Sequence, residues 1–273
     1  ISPLVGGMMN LSFIVQNAKG KKFVLYISTK QANEMVDRKL EKEHQFIIHS
    51  LKITSKNVFF NVNDGITIND YIEGNSLNNV TTWNYPKVAE LFKKLHSSKA
   101  LSKQNYNPFK RFLEIYESER KKYQAKDVYD YIVFRDFLLQ NRKFLESQNL
   151  TLCHNDAQRS NIIQTPDDKY LFIDFEFVGN NDPLYDVAAF GNTSVAEGRI
   201  LLDYYCNYHP TKEEIRRYYL WRIFISLQWY NVAITKHYRK EGKKHGYDFM
   251  EVANFFFNNA KDAYECYTRE IKL

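Results

Sequence analysis

Apolar residues come in short alternating runs up to residue 72 and in longer runs with helical spacing after it. Residues 4–15 place Gly6-Gly7 between two apolar runs, which predicts strand, tight turn, strand. Residues 23–27 (Phe-Val-Leu-Tyr-Ile) predict the next strand. Residues 34–51 have helical periodicity, with Met35, Leu40 and Phe46-Ile47 on or near one face. Residues 58–62 and 65–72 predict two further strands around the turn Asn63-Asp64-Gly65. Helices are predicted over 86–97, 109–122, 128–148, 200–208, 212–239 and 248–271, and another begins at Pro183 with Asp182 as its cap. The expected class is α+β: a small antiparallel sheet with one helix over residues 1–72, then a mostly helical part over 73–273. No repeat or low-complexity segment interrupts it.

Two short apolar runs, residues 150–153 and 170–173, break the helical pattern and carry the chemistry. A polar loop holding His154, Asn155, Asp156 and Asn161 follows the first, and Asp174 ends the second. With Pro166-Asp167-Asp168 as a turn signal, the two runs are expected to pair as a hairpin that gathers Asp156, Asn161 and Asp174 at one end. Phosphoryl transfer requires this set. An Asp can accept a hydroxyl's hydrogen bond and, late in the reaction, its proton. Mg²⁺ prefers hard oxygen ligands, which the Asn161 carbonyl and the Asp174 carboxylate offer. Asp156 is therefore the catalytic candidate, and Asn161 and Asp174 are the metal candidates.

The spacing H-x-D-x-x-x-x-N, followed by a strand ending in Asp, is similar to a kinase catalytic loop and its metal-binding Asp. His154-Asn155-Asp156 with Gln158, then Ile173-Asp174-Phe175-Glu176-Phe177, Asn181 and Asp186, resembles the choline/ethanolamine kinase family, part of the wider group that contains the aminoglycoside phosphotransferases. That resemblance implies a two-lobed protein-kinase-like fold, with ATP and Mg²⁺ as cofactors and a small alcohol as acceptor. It implies that Gly6, Gly7 and Asn10 belong to a loop over the ATP phosphates. Within Arg38-Lys39-Leu40-Glu41 it makes Glu41 the candidate helix Glu for an ion pair, and it brings the backbone around Asp70, Tyr71 and Ile72 to the adenine edge. Gln158 is expected in the acceptor pocket, and Glu176 is expected to assist through water.

The chain departs from the family in three places. The strand over 23–27 should present a Lys or Arg to the phosphates, yet Tyr26 stands there, with Lys22 or Lys30 as possible substitutes. Paired tryptophans are expected near Val232 and Thr235, whereas this chain has Trp229. An acid is expected near Thr193, and the nearest is Glu197. Aromatic faces hold quaternary ammonium groups. Trp229, Tyr247 and Phe249, with Trp221, Tyr230 and Tyr238, are the aromatic candidates in the last third.

The length of 273 residues suits one large domain or two lobes. The net charge of +6 suits anionic ligands such as ATP and is too small and dispersed to argue for nucleic acid. Cys153, Cys206 and Cys266 fit neither a disulfide framework nor a zinc spacing, so a reducing compartment, the cytoplasm, is expected. No apolar run is long enough to insert in a membrane. The expected acceptor is choline or ethanolamine, with thiamine or an aminoglycoside as alternatives. A weakly active nucleotide-binding pseudokinase is the reading of another class, motivated by Tyr26. Oligomeric state is not readable from these residues.

Overall fold

The computed structural model describes residues 1–4, 10–29, 36–124, 128–242 and 248–271. In chain order the elements are β1 (Ser2–Leu4), β2 (Asn10–Gln16), β3 (Lys22–Ser28), α1 (Arg38–Ser50), β4 (Asn57–Phe60), β5 (Thr67–Asp70), β6 (Asn75–Ser76) and α2 (Tyr85–His96). There follow α3, which runs over 108–121 with a π-helical middle at Arg111–Glu117, then α4 (Tyr129–Gln140) and α5 (Arg142–Glu146). Four short strands come next: β7 (Thr151–Cys153), β8 (Ile162–Gln164), β9 (Tyr170–Phe172) and β10 (Gly179–Asn181). The chain ends in α6 (Pro183–Phe190), α7 (Val195–Tyr205), α8 (Lys212–Tyr238) and α9 (Phe249–Ile271). By packing, these form two compact units. One is Ile1–Asn105 with Thr151–Asn180, and the other is Tyr106–Leu150 with Asn181–Leu273.

The first unit carries a five-stranded sheet in the order β1-β2-β3-β5-β4, with every pair antiparallel. Its register follows the alternation of the sequence. Leu11, Phe13 and Val15 face Ile27, Leu25 and Phe23 across β2 and β3, the cross-strand pairing that stabilises sheets. On the other face Tyr26 lies opposite Ser12 and Thr67, and Thr67 is buried.

Helix α1 starts where Asp37 caps it, its carboxylate accepting from the amides of Lys39 and Leu40 at 3.0 and 3.1 Å. Its buried side differs from the predicted apolar face. Phe46 is exposed, and the inner stripe is Arg38, Glu41, His44 and Ile48. Polar partners explain the difference. Arg38 pairs with Glu41 at 2.5 Å, and His44 Nε2 shares a 2.7 Å hydrogen bond with Ser102, so the Glu41 and His44 side chains are buried with polar partners.

The expected hairpin of 150–153 with 170–173 does not form. β9 pairs with β8, the strand that returns from the polar loop, and β7 pairs with β10. The turn over 165–168 explains this choice. The Thr165 amide donates to the Lys169 carbonyl at 2.9 Å and its hydroxyl accepts the Lys169 amide at 3.0 Å, which closes β8 directly onto β9. β6 completes a three-stranded sheet on the far side of β8.

The second unit is built around α8, whose start is a capping box of Thr211 and Glu214. The predicted helix over 128–148 is broken at Asn141 into α4 and α5. Asp182 caps α6 as expected, accepting from the Leu184 amide at 3.0 Å, and it also takes two bonds from Arg217 and one from the Trp221 indole. Asp186 lies fully buried on α6.

Candidate active site

Asp156 is placed by its neighbours in the loop between β7 and β8. His154 is fully buried, its ring lying 5.1 Å from both Phe172 and Phe175. Its Nδ1 accepts the Asp156 amide at 3.3 Å, so its Nε2 carries the proton and donates to the Ile173 carbonyl at 2.9 Å. Asn155 adopts a left-handed φ of 64°, a conformation Asn tolerates better than most residues. Its side-chain amide donates to the carbonyls of Phe177 and Gly179 at 2.9 and 3.2 Å. His154 and Asn155 thus tie the loop to the chain on either side of Asp174. Sequence reasoning used these two residues as a signature and missed their role as struts.

The half-buried Asp156 carboxylate accepts from two amides. Gln158 Nε2 lies 3.1 and 3.2 Å from its two oxygens, and Asn161 Nδ2 lies 2.9 Å from Oδ2. Asn161 Nδ2 also reaches the Asp156 backbone oxygen at 2.9 Å. With its nitrogen committed, Asn161 directs its carbonyl oxygen elsewhere, toward the Ser160 hydroxyl at 3.4 Å. The Asn161 backbone oxygen accepts the Ile173 amide at 3.0 Å, which joins the loop to the residue before Asp174.

Asp174 follows β9 with a φ of 65°. The strand leading to it is strapped to the segment after α1. The Phe172 amide donates to the Ile53 carbonyl at 2.8 Å, and the Thr54 hydroxyl donates to the Phe172 carbonyl at 2.9 Å. That strap brings Asp174 under the influence of the polar face of α1. Burial, and then the Glu41 carboxylate, push the Asp174 acid up to about 6, while Arg38 opposes the rise. Burial also raises the Glu41 acid against the pull of Arg38. Tyr26 is raised by burial and then by the Asp174 charge, so its hydroxyl stays protonated. The Asn161 carbonyl oxygen and the Asp174 carboxylate are two hard donors attached to one loop and one strand end, a set that suits Mg²⁺ completed by phosphate and water oxygens.

The remaining expected residues fall as follows. Gly6, Gly7 and Tyr247 lie outside the described residues, as does the side chain of Asn10. The Asp70 and Tyr71 amides donate to the Lys56 and Lys22 carbonyls at 2.9 and 3.3 Å, holding the chain at the end of β5, and Ile72 follows half-buried. Glu176 is half-buried in the turn after Asp174. Lys22, a suggested substitute for the strand cation, is bound to Glu73 at 3.0 Å and sits over the Tyr71 ring. Lys30 is outside the described residues.

In the second unit, half-buried Trp229 stacks on Phe256 at 6.0 Å. Phe249 is buried and already carries the Lys236 ammonium 5.7 Å from its ring centre. Trp221 and Tyr230 are buried, and Tyr238 stacks on Tyr123.

Over residues 1–221 the sequence matches the family model described as choline/ethanolamine kinase. Protein LicA of Haemophilus influenzae is 26% identical over 267 residues, which is 91% of this chain and 75% of that protein. The choline kinase LicA from Streptococcus pneumoniae has a similar structure, with a TM-score of 0.71 at 21% identity, over 98% of this chain and 94% of that one. A choline/ethanolamine kinase family protein from Mesorhizobium loti gives 0.74 at 21% identity, over 98% and 90%. These likenesses put the fold in the protein-kinase-like class that the α+β pattern and the loop spacing implied.

Proposed function

The chain belongs to the choline/ethanolamine kinase family and is a small-molecule kinase, and on that premise we propose that it transfers the γ-phosphoryl group of ATP to the hydroxyl of choline or ethanolamine. The observation that carries the reading is the Asp156 carboxylate, aimed by the Gln158 and Asn161 amides. In the proposed reaction the acceptor hydroxyl donates a hydrogen bond to Asp156. The new oxygen–phosphorus bond forms as the bond to ADP breaks. The hydroxyl proton passes to Asp156 and then to solvent. The two donors hold the Asp156 carboxylate oxygens in place for that proton. Asn161 and Asp174 would hold Mg²⁺, which when bound neutralises charge on the phosphate oxygens. Glu176 would act through water.

Residues 1–72 are assigned to covering the nucleotide, with Gly6, Gly7, Asn10 and Glu41 toward the phosphates and Asp70, Tyr71 and Ile72 toward the adenine. Residues 73–273 are assigned the catalytic loop, the metal and the acceptor, with Gln158, Trp229, Tyr247 and Phe249 on the acceptor side. The positively charged chain fits a nucleotide ligand, and the free cysteines fit a reducing cytoplasm. Among the described residues no helix is long and apolar enough to cross a membrane.

The test is ADP release coupled to an indicator, run with choline, ethanolamine, thiamine and an aminoglycoside. Release with choline or ethanolamine at far lower concentration than with the others is the expected outcome. No release with either amino alcohol would overturn the reading.

A further inference from the structure

Asp156 sits in the loop that leaves β7, a strand of 3 residues. Its sheet partner β10 also has 3 residues, and the two form a sheet of their own. A two-stranded ribbon of that size is marginal by itself in water, so the place of Asp156 depends on what holds the ribbon. Asn155, the residue before Asp156, is tied to β10 through the Gly179 carbonyl at 3.2 Å. That carbonyl belongs to the same peptide unit as the amide of Asn180. The Asn180 amide donates in turn to the Gln104 carbonyl at 3.0 Å. A peptide unit is planar, so fixing its nitrogen fixes the direction of its oxygen. The unit between Gly179 and Asn180 is therefore held from two sides, by Asn155 and by the segment 102–105.

The Asn180 side chain grips the same segment again. Its Oδ1 accepts the Ser102 amide at 2.8 Å. Its Nδ2 donates to the Ser102 carbonyl at 2.8 Å and to Asn105 Oδ1 at 3.0 Å. One side-chain amide thus pairs with both main-chain groups of Ser102, as a neighbouring strand would. Asn105 adds a parallel bridge to Asn180. Asn180 and Ser102 are both buried, where an unmade hydrogen bond is costly. The segment is itself pinned, since the Ser102 hydroxyl accepts the Gln104 amide at 2.9 Å and meets His44 of α1 at 2.7 Å.

We propose that Asn180 is a positioning residue for Asp156: by clamping β10 to the segment 102–105 it sets the Gly179 carbonyl that orients Asn155, and with it the carboxylate one residue further on. The inference rests on the proposed phosphotransfer, in which Asp156 meets the acceptor hydroxyl. The effect of Asn180 passes through Asn155, so its loss lowers the rate of the chemical step and spares the binding of nucleotide and acceptor.

The test is a double-mutant cycle in steady-state turnover, paired with amide hydrogen exchange read by mass spectrometry. Asn180→Ala is expected to lower kcat by about 10–10²-fold, the cost of a misplaced catalytic group, with both KM values unchanged. In an Asp156→Asn background the same change is expected to lower the residual turnover by less than about threefold, because the group it positions is already gone. A role in stability alone would lower both proteins equally. Exchange over residues 151–161 is expected to quicken about tenfold or more in Asn180→Ala while that of α2 stays native. Ser102→Ala keeps both main-chain groups that Asn180 grips and is expected to keep native turnover. Native kcat in folded Asn180→Ala overturns the proposal, as do equal losses in the two backgrounds or unchanged exchange over 151–161. A loss in Ser102→Ala as large as that in Asn180→Ala moves the effect to the hydroxyl and also overturns it. Asn180→Asp keeps the acceptor for the Ser102 amide but sets a carboxylate oxygen against the Ser102 carbonyl, and it decides by the same criteria if Asn180→Ala does not fold. Failure of the native protein to phosphorylate any amino alcohol counts against the proposed function, and the exchange comparison then decides whether Asn180 holds the loop.

Discussion

Asn161 binds Asp156 twice with one nitrogen, at the carboxylate Oδ2 and at the backbone oxygen, each at 2.9 Å. One amide therefore fixes both the position of the Asp156 main chain and the direction of its carboxylate. Replacing Asp156 with Asn keeps the shape but removes the proton acceptor, and the new NH₂, a donor, accepts from neither Gln158 nor Asn161. Turnover in Asp156→Asn is expected to fall by about 10²–10⁴, with MgATP affinity nearly unchanged. ADP release and calorimetry on the same preparation check it, and unchanged turnover refutes the role.

Asp174 holds a left-handed backbone as well as a carboxylate. Asp174→Ala is expected to abolish the Mg²⁺ dependence of ATP binding and to add a backbone cost of about 1 kcal/mol. Asp174→Asn keeps a residue that tolerates this backbone, so it separates the two effects. It should lose the metal dependence while melting close to the native protein. ATP titrations with and without Mg²⁺, paired with thermal melts, measure both.

Asp182 joins three jobs in the second unit. It caps α6, pairs with Arg217 at 2.5 Å and accepts the Trp221 indole proton at 2.8 Å, all while 1% exposed. Asp182→Ala leaves a mostly buried guanidinium and a buried indole without this partner, and is expected to cost about 3–5 kcal/mol. Asp182→Asn retains an acceptor for the cap and should cost less. Urea denaturation ranks the two, and equal stability of all three proteins would refute the account.

His44 gives the fold a signed response to acid. Burial lowers its imidazolium from 6.5 to about 4, against the weaker pull of Glu43 and Asp37. The unfolded chain therefore binds more protons between those values, and stability is lost as pH falls from about 6.5 toward 4, by up to roughly 3 kcal/mol. His44→Gln removes the titration and keeps a partner for Ser102. The stability difference between native and variant proteins is expected to shift in the variant's favour as pH drops through this window. A difference that does not vary with pH would show that His44 contributes no such linkage.

Local chemistry was legible along the chain. The Asp182-Pro183 start of α6 and the Asn63-Asp64-Gly65 turn depend on a few neighbouring residues, and both stand where the pattern put them. The family resemblance was likewise carried by residues in chain order, His154-Asn155-Asp156 with Gln158 and then Ile173 to Phe177, Asn181 and Asp186, and the family match bears it out. Pairings between distant segments were not legible. Whether β9 joins β7 or β8 depends on how the 165–168 turn closes, and an apolar run does not name its neighbour. The inner face of α1 shows the same limit. Hydrophobic periodicity pointed to Phe46, but Ser102 and the Arg38–Glu41 pair let polar residues turn inward. Burial of a charge is decided by what meets it from elsewhere in the chain, so only the tertiary structure reveals that Glu41 is answered by Arg38 and not by the strand residue Tyr26.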